Sequence, residues 1–170
     1  MRPGRQWNYI SDMSEPGTIL AIYIAPKATE LPHAVERVRA VPERGLDGDR
    51  YAAGIGTFSN HKGQRDVSLI ESEAIEAFER ESGTSLSAAQ SRRNVLTRGV
   101  RLNDLVGKEF QIGKVRMRGL RLCEPCTHLV RLTHPATLRG LVHRGGLYAA
   151  VLNEGEIAVG DPIDGFGDSP

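Results

Sequence analysis

Residues 109–122 read EFQIGKVRMRGLRL. Two stretches of alternating apolar and polar residues meet at Gly113, and in the second Val115 and Met117 stand opposite Arg116 and Arg118. Strand side chains point alternately to two faces, so a period of two describes strands with one face buried and one in water. Arg116 and Arg118 fall on the exposed face, and the glycine at the joint marks a turn.

The same pattern extends outward in both directions. Downstream, GLYAAVLNEGEIAVGDPI (146–163) reads as two strands joined by Asn153, Glu154 and Gly155, the strongest hairpin signal in the chain. Before it, HPATLRGLVH (134–143) predicts a small helix with Pro135 in its first turn. Upstream, GTILAIYIAP (17–26) is a buried strand stopped by Pro26, and HAVERVRAVPE (33–43) reads as a second strand. RGLDGDRYAAGIG (44–56) is dense in glycine and aspartate and reads as turns. The clearest helix lies in SLIESEAIEAFERESG (68–83). Ser68 and Glu71 have capping-box spacing, Ser72 competes as N-cap, and Gly83 supplies a stop. Ala74, Ile75 and Phe78, with Leu86, form its apolar stripe. Residues 1–16 lack periodicity and read as a loose extension, and 165–170 as a loose tail. Many short strands and few helices predict a mainly β fold, a barrel or sandwich with helices attached.

A length of 170 residues suits one domain with a single core. Nineteen glycines and nine prolines are more than a helical bundle tolerates. No apolar run approaches the roughly 18 residues that cross a bilayer, and the N-terminus shows no apolar signal-peptide core. With only two cysteines, a cytoplasmic chain with reduced thiols is expected, without membrane or nucleic-acid partners. The net charge of +1 is unevenly spread. From Arg92 to Arg144 there are twelve Lys/Arg and three acidic residues, against ten and eighteen elsewhere. Such a segment can attract an anion such as phosphate, or form a solvated strand face.

Both cysteines lie in RLCEPCTHL (121–129). A reducing compartment disfavours a disulfide. Zinc would need His128 and His134, whose spacing matches neither finger nor ribbon. Haem attachment wants a histidine directly after the second cysteine, where Thr127 stands. A redox dithiol wants a helix after the pair, and the sequence there reads as strand-like or irregular. Two readings stand on the residues alone: one working thiol in a cationic setting supplied by Arg121, His128 and Arg131, or two buried cysteines acting as small hydrophobes.

GLDGDRY, QRDVSLIESEAIE, the run from RRNVLTRG to CEPCTHL, and HRGGLYAAVLNEGEIAVGDPI resemble, in order, a stand-alone MOSC domain. That family is named for the C-terminal domain of molybdenum cofactor sulfurase. The resemblance runs from about Gly17 to Ile163 and implies a MOSC-type β-barrel with a few short helices at the rim. It implies the molybdenum cofactor (molybdopterin) as ligand and Cys126 as the marker cysteine. In amidoxime-reducing relatives the equivalent cysteine ligates molybdenum; in the sulfurase it is proposed to hold a persulfide. Cys123 takes a supporting place. Arg92 and Asn94 match an Arg-x-Asn near the cofactor, and Arg144 matches an Arg-x-Gly whose glycines allow close backbone approach. GLDGDRY departs from the relatives' Gly-Asp-x-His: Asp49 is present, Tyr51 replaces the histidine, and His61 is the candidate stand-in. Arg92, Asn94 and Arg144 are expected to converge beside Cys126.

Two functions follow from the resemblance. One is a Cys-ligated molybdenum reductase of N-hydroxylated compounds, fed by a separate flavin or iron–sulfur electron donor. The other is a non-catalytic carrier of persulfide sulfur, with a cysteine desulfurase as partner, or of the cofactor itself. Pyridoxal phosphate is not expected, because no lysine stands in a setting for a Schiff base.

Overall fold

The structure, a computed structural model, describes residues 15–54 and 65–165. Its strands are β1 (Gly17–Ile24), β2 (His33–Val35), β3 (Arg37–Val41), β4 (Gly45–Leu46), β5 (Val67–Glu71), β6 (Val95–Arg98), β7 (Glu109–Ile112), β8 (Val115–Leu122), β9 (Leu147–Val151), β10 (Gly155–Ala158) and β11 (Pro162–Gly165). Helix α1 (Ser72–Ser82) follows β5, while α2 (Thr127–Leu132) and α3 (Ala136–Gly140) lie between β8 and β9.

The turn at Gly113 makes β7 and β8 an antiparallel hairpin, with Phe110 opposite Met117 and Gln111 opposite Arg116. Val115 and Met117 are buried while Arg116 and Arg118 are exposed, as the period of two predicts. The hairpin belongs to a sheet in the order β11-β7-β8-β9-β5-β6-β1, and β1 returns to β11 with Gly17 opposite Ile163. Seven strands thus close a barrel, and closure removes exposed sheet edges. Among the described strands, β5 and β6 are the one pair that runs parallel. Ile19, Ile22, Leu69, Val95, Phe110, Met117 and Leu147 fill its interior. Each such side chain contributes about 1.5–3 kcal/mol on burial. Strand β2 flanks β1, and β10-β3-β4 form a separate small sheet.

Four local expectations are corrected. The stretch 33–43 is not one strand: β2 pairs with β1 and β3 with β10, so the chain changes sheets at Glu36. Ser68 and Glu71 belong to β5, and Glu71 is the N-cap residue but makes no side-chain cap bond. Its carboxylate accepts from the Leu102 N–H at 2.8 Å instead, and Ser72 is the first helical residue. The Asn153–Gly155 stretch is no hairpin turn. Strand β9 already pairs on both edges, with β5 and β8, which forces β10 to pair with β3. Finally, the residues after Cys126 form α2. Gly83 does end α1, in the left-handed conformation at φ 67°.

Candidate functional site

Beyond Leu122 the chain leaves the barrel, and Cys126 becomes the N-cap residue of α2. One ground for setting aside a dithiol is thereby removed. Burial nevertheless separates the two cysteines: Cys123 is 1% exposed, whereas Cys126 is exposed. The Cys123 N–H donates to the Gly146 carbonyl at 2.7 Å. Burial pushes its thiol pKa up, against opposing effects from Arg93 and from the neighbouring Tyr148 hydroxyl. Tyr148 titrates far above its ordinary range, first because it is buried and then because Cys123 lies beside it, so its hydroxyl stays protonated. The Arg121 and Arg65 guanidinium carbons lie over its ring at 4.7 and 5.4 Å.

The loop that holds Cys123 in place requires two glycines. A Cβ on Gly145 would stand 2.4 Å from the Cys123 carbonyl oxygen. One on Gly146, whose φ is +116°, would stand 2.1 Å from the Leu69 carbonyl oxygen. Arg93 locks the same region. Its Nε donates to the Gly145 carbonyl at 2.8 Å, Nη1 to the Ser91 carbonyl at 3.2 Å and Nη2 to the Cys123 carbonyl at 3.3 Å.

Cys126 opens on a cleft that is also lined by Arg50, Tyr51, Arg65, Arg92, Arg93, Asn94, His128 and Tyr148. Arg92 is half-buried and holds φ 62°, the left-handed region that residues with side chains seldom adopt. Its pKa is lowered chiefly by burial and next by Arg50. His128 is held below the ordinary imidazole range by partial burial and by Arg92, Arg131 and Arg50. Asn94 reaches the cleft with its amide largely engaged. Oδ1 accepts from the Ser68 N–H and hydroxyl, both at 3.1 Å, and Nδ2 donates to the Tyr23 carbonyl at 3.1 Å. It therefore ties β5 to β1.

The other expected residues lie elsewhere. Arg144 does not join Arg92 and Asn94, which corrects the expected convergence of the three. Its Nη2 pairs with Glu81 at 2.5 Å and its Nε donates to the Gly140 carbonyl at 2.6 Å, in a groove between α1 and α3. That guanidinium holds the Glu81 carboxyl below its usual range. Asp49 is buried and its carboxylate serves backbone: Oδ1 accepts from Ala25 at 2.9 Å and Oδ2 from Tyr51 at 3.3 Å. It shapes the turn that carries Arg50 and Tyr51 into the cleft. His61 lies outside the described residues. Sequence reasoning missed Arg50, Arg93 and Tyr148. Arg50 was legible only as part of GLDGDRY, and Arg93 only as the neighbour of Arg92. Among the described residues no three His, Cys, Asp or Glu side chains gather to hold a metal ion.

A closed seven-stranded barrel bearing one exposed cysteine in an arginine-lined cleft defines a class of thiol-bearing barrel domain. The chain belongs to the MOSC domain family, whose family model matches residues 46–164. Solved structures show the same fold. The YuaD protein from Bacillus subtilis superposes with a TM-score of 0.73 at 16% identity, over 86% of this chain and 94% of that one. YiiM from Geobacillus stearothermophilus gives 0.69 at 18% identity, over 89% and 76%. YiiM from Escherichia coli gives 0.65 at 16%, over 89% and 71%. No curated protein matches the sequence. Among the described residues no helix is long and apolar enough to cross a membrane.

Proposed function

We propose that the Cys126 cleft binds the molybdenum cofactor, and that the protein is a Cys-ligated reductase of N-hydroxylated compounds served by a separate electron donor. The observation that carries this is the pairing of an exposed thiol with several arginines in one cleft, while the second thiol is buried behind it. The donor set fits such a group: soft sulfur suits molybdenum, and guanidiniums suit a phosphate. Cys126 would hold the metal, and Arg92 would face the phosphate. When bound, the cofactor supplies two-electron reduction of an N–O bond. The chain supplies the rest. Arg93 fixes the loop ahead of Cys126, Asn94 holds β5 against β1, and Tyr148 keeps a protonated hydroxyl against Cys123.

The exposure of Cys126 also favours a second reading, in which a desulfurase loads sulfur onto it as a persulfide. Elemental analysis and intact mass of protein from a host that makes the cofactor separate the two. One equivalent of molybdenum with pterin is expected. A persulfide mass without metal would replace the reductase with the sulfur carrier.

A further inference from the structure

We infer that the outer face of α2, α3 and the turn after them is the docking surface for an acidic redox protein, the electron donor that the reductase reading requires. Residues 127–144 read THLVRLTHPATLRGLVHR, with three arginines, three histidines and no Asp or Glu. Inward, Leu129 and Leu141 are buried with Phe78 and Leu86 in one apolar cluster. Outward, Leu132, Leu138 and Val142 are exposed. They are three of the eight large apolar side chains exposed among the described residues, and they fall close together in the chain. The backbone keeps turning past α3, with the Leu141 N–H donating to the Thr137 carbonyl at 3.2 Å, so Leu138 and Val142 stand about one turn apart on the same side. An exposed apolar group that the core does not use marks an interaction surface.

Charge selects the partner. Arg131 and Arg139 are exposed and, among the described residues, have no acidic partner. Glu81 and Glu124, the carboxylates that border this face, are already engaged by Arg144 and His143. A basic rim around an apolar centre steers an acidic protein in and then holds it. A second copy meeting the same face by two-fold symmetry would set like charges against each other. Helices of six and five residues, without Trp, Tyr or Phe, make a poor in-plane membrane anchor. Position makes the partner a redox protein: Cys126 is the N-cap residue of α2 and is itself exposed, so a partner on this face sits beside the thiol. Two one-electron transfers from two carrier molecules, with two protons from solvent, convert N–OH to N–H and release water. The surface rests on the reductase reading only for what the partner delivers.

The probe is an acidic ferredoxin, whose reduced cluster is paramagnetic and broadens nearby amide signals, added at low salt to the isotope-labelled full chain as purified. Broadening is expected first at residues 128–143 and should fade as salt is raised. Leu138→Glu and the double change Arg131→Glu/Arg139→Glu are each expected to weaken binding about tenfold or more, and Leu20→Glu, on the exposed side of β1, less than about twofold. The changed side chains are exposed, and the arginine pair covers the case in which Leu138→Glu fails to fold. A ferredoxin that leaves the signals sharp, or broadens them away from α2 and α3, would overturn the surface. Wild-type protein that pellets with vesicles of phosphatidylglycerol and phosphatidylcholine while Leu138→Glu stays in solution would give the face to a membrane instead. A dimer in sedimentation equilibrium that Leu138→Glu dissolves would give it to a second copy. The reductase reading fails separately, by assay of molybdenum and pterin on the same protein. Docking at this face without either would sink that reading and leave the surface standing, and retained cofactor without docking would do the reverse.

Discussion

Cys123 and Cys126 sit three residues apart in environments that make them different reagents. Cys123 is sealed behind Gly145 and Gly146, and burial holds its thiol in the protonated form beyond the ordinary thiol range. Cys126 stands open to solvent. Iodoacetamide at neutral pH should therefore label Cys126 alone in the native protein and both cysteines in denaturant. Because the Cys123 pKa is raised, increasing the pH by one unit should leave it unlabelled while the fold persists; intact mass reads the count. On the proposed reading, Cys126→Ser loses metal retention or persulfide formation and Cys123→Ser keeps most of it. Equal behaviour of the two mutants would mean that the pair acts as a dithiol. Arg93 presents the other residue-scale test. Replacing it by Ala leaves the carbonyls of Ser91, Cys123 and Gly145 without their shared donor. A loss of about 2–4 kcal/mol in urea unfolding is expected.

At the scale of elements, hydrogen-bonding edges decide what periodicity cannot. The period of two correctly marks Leu147–Val151 and Gly155–Ala158 as strands, and proximity along the chain suggests a hairpin. Both edges of β9 are occupied, however, and the intervening residues serve the β7–β8 turn: Arg116 N–H donates to Asn153 Oδ1 at 2.7 Å and Leu152 N–H to the Arg116 carbonyl at 2.9 Å. Pairing of this kind is non-local, so no short window contains it. Ser68 fails as a helix cap for a related reason, since its backbone N–H and hydroxyl are bound to Asn94, 26 residues away. Two glycines calibrate the elements. At Gly83 an added Cβ meets nothing within 4 Å, so Gly83→Ala bears only the left-handed backbone cost of about 1–2 kcal/mol. At Gly146 the same change adds a clash with the Leu69 carbonyl oxygen and should cost more than about 3 kcal/mol. Thermal unfolding of the two variants should show that order; a reversal would mean that the loop after α3 can move away from β5 without loss.

For the whole molecule, the barrel class was legible because alternation reports strands directly, while the completed cleft was not. Its side chains come from the turn after β4, the turn before β6, the loop after β8 and strand β9, brought together only by closure of the sheet. Arg92 and Cys126 could be singled out by motif, but Tyr148 has no local mark and Arg50 only its place in GLDGDRY. Arg144 shows the converse: its choice of Glu81, 63 residues earlier, is set by the packing of α1 against α3. The basic segment from Arg92 to Arg144 accordingly divides into parts with different consequences. Arg116 and Arg118 pair with Glu109 on the outside of the hairpin, and Arg144 pairs with Glu81 in its own groove. Arg92 faces the cleft with a carbonyl as its hydrogen-bond acceptor. Exposed ion pairs contribute about 0–1 kcal/mol, so Arg116→Glu, Arg118→Glu and Arg144→Glu should lower the midpoint of unfolding only slightly and change cofactor affinity less than about threefold. On the proposed reading, Arg92→Glu places a negative charge in the half-buried cleft that takes the cofactor, and should weaken cofactor retention by roughly 30-fold or more. Molybdenum and pterin retained per protein chain, measured after extended dialysis of the four variants, compares them directly. Retention that survives Arg92→Glu but fails in Arg144→Glu would move the anion site to the α1–α3 groove.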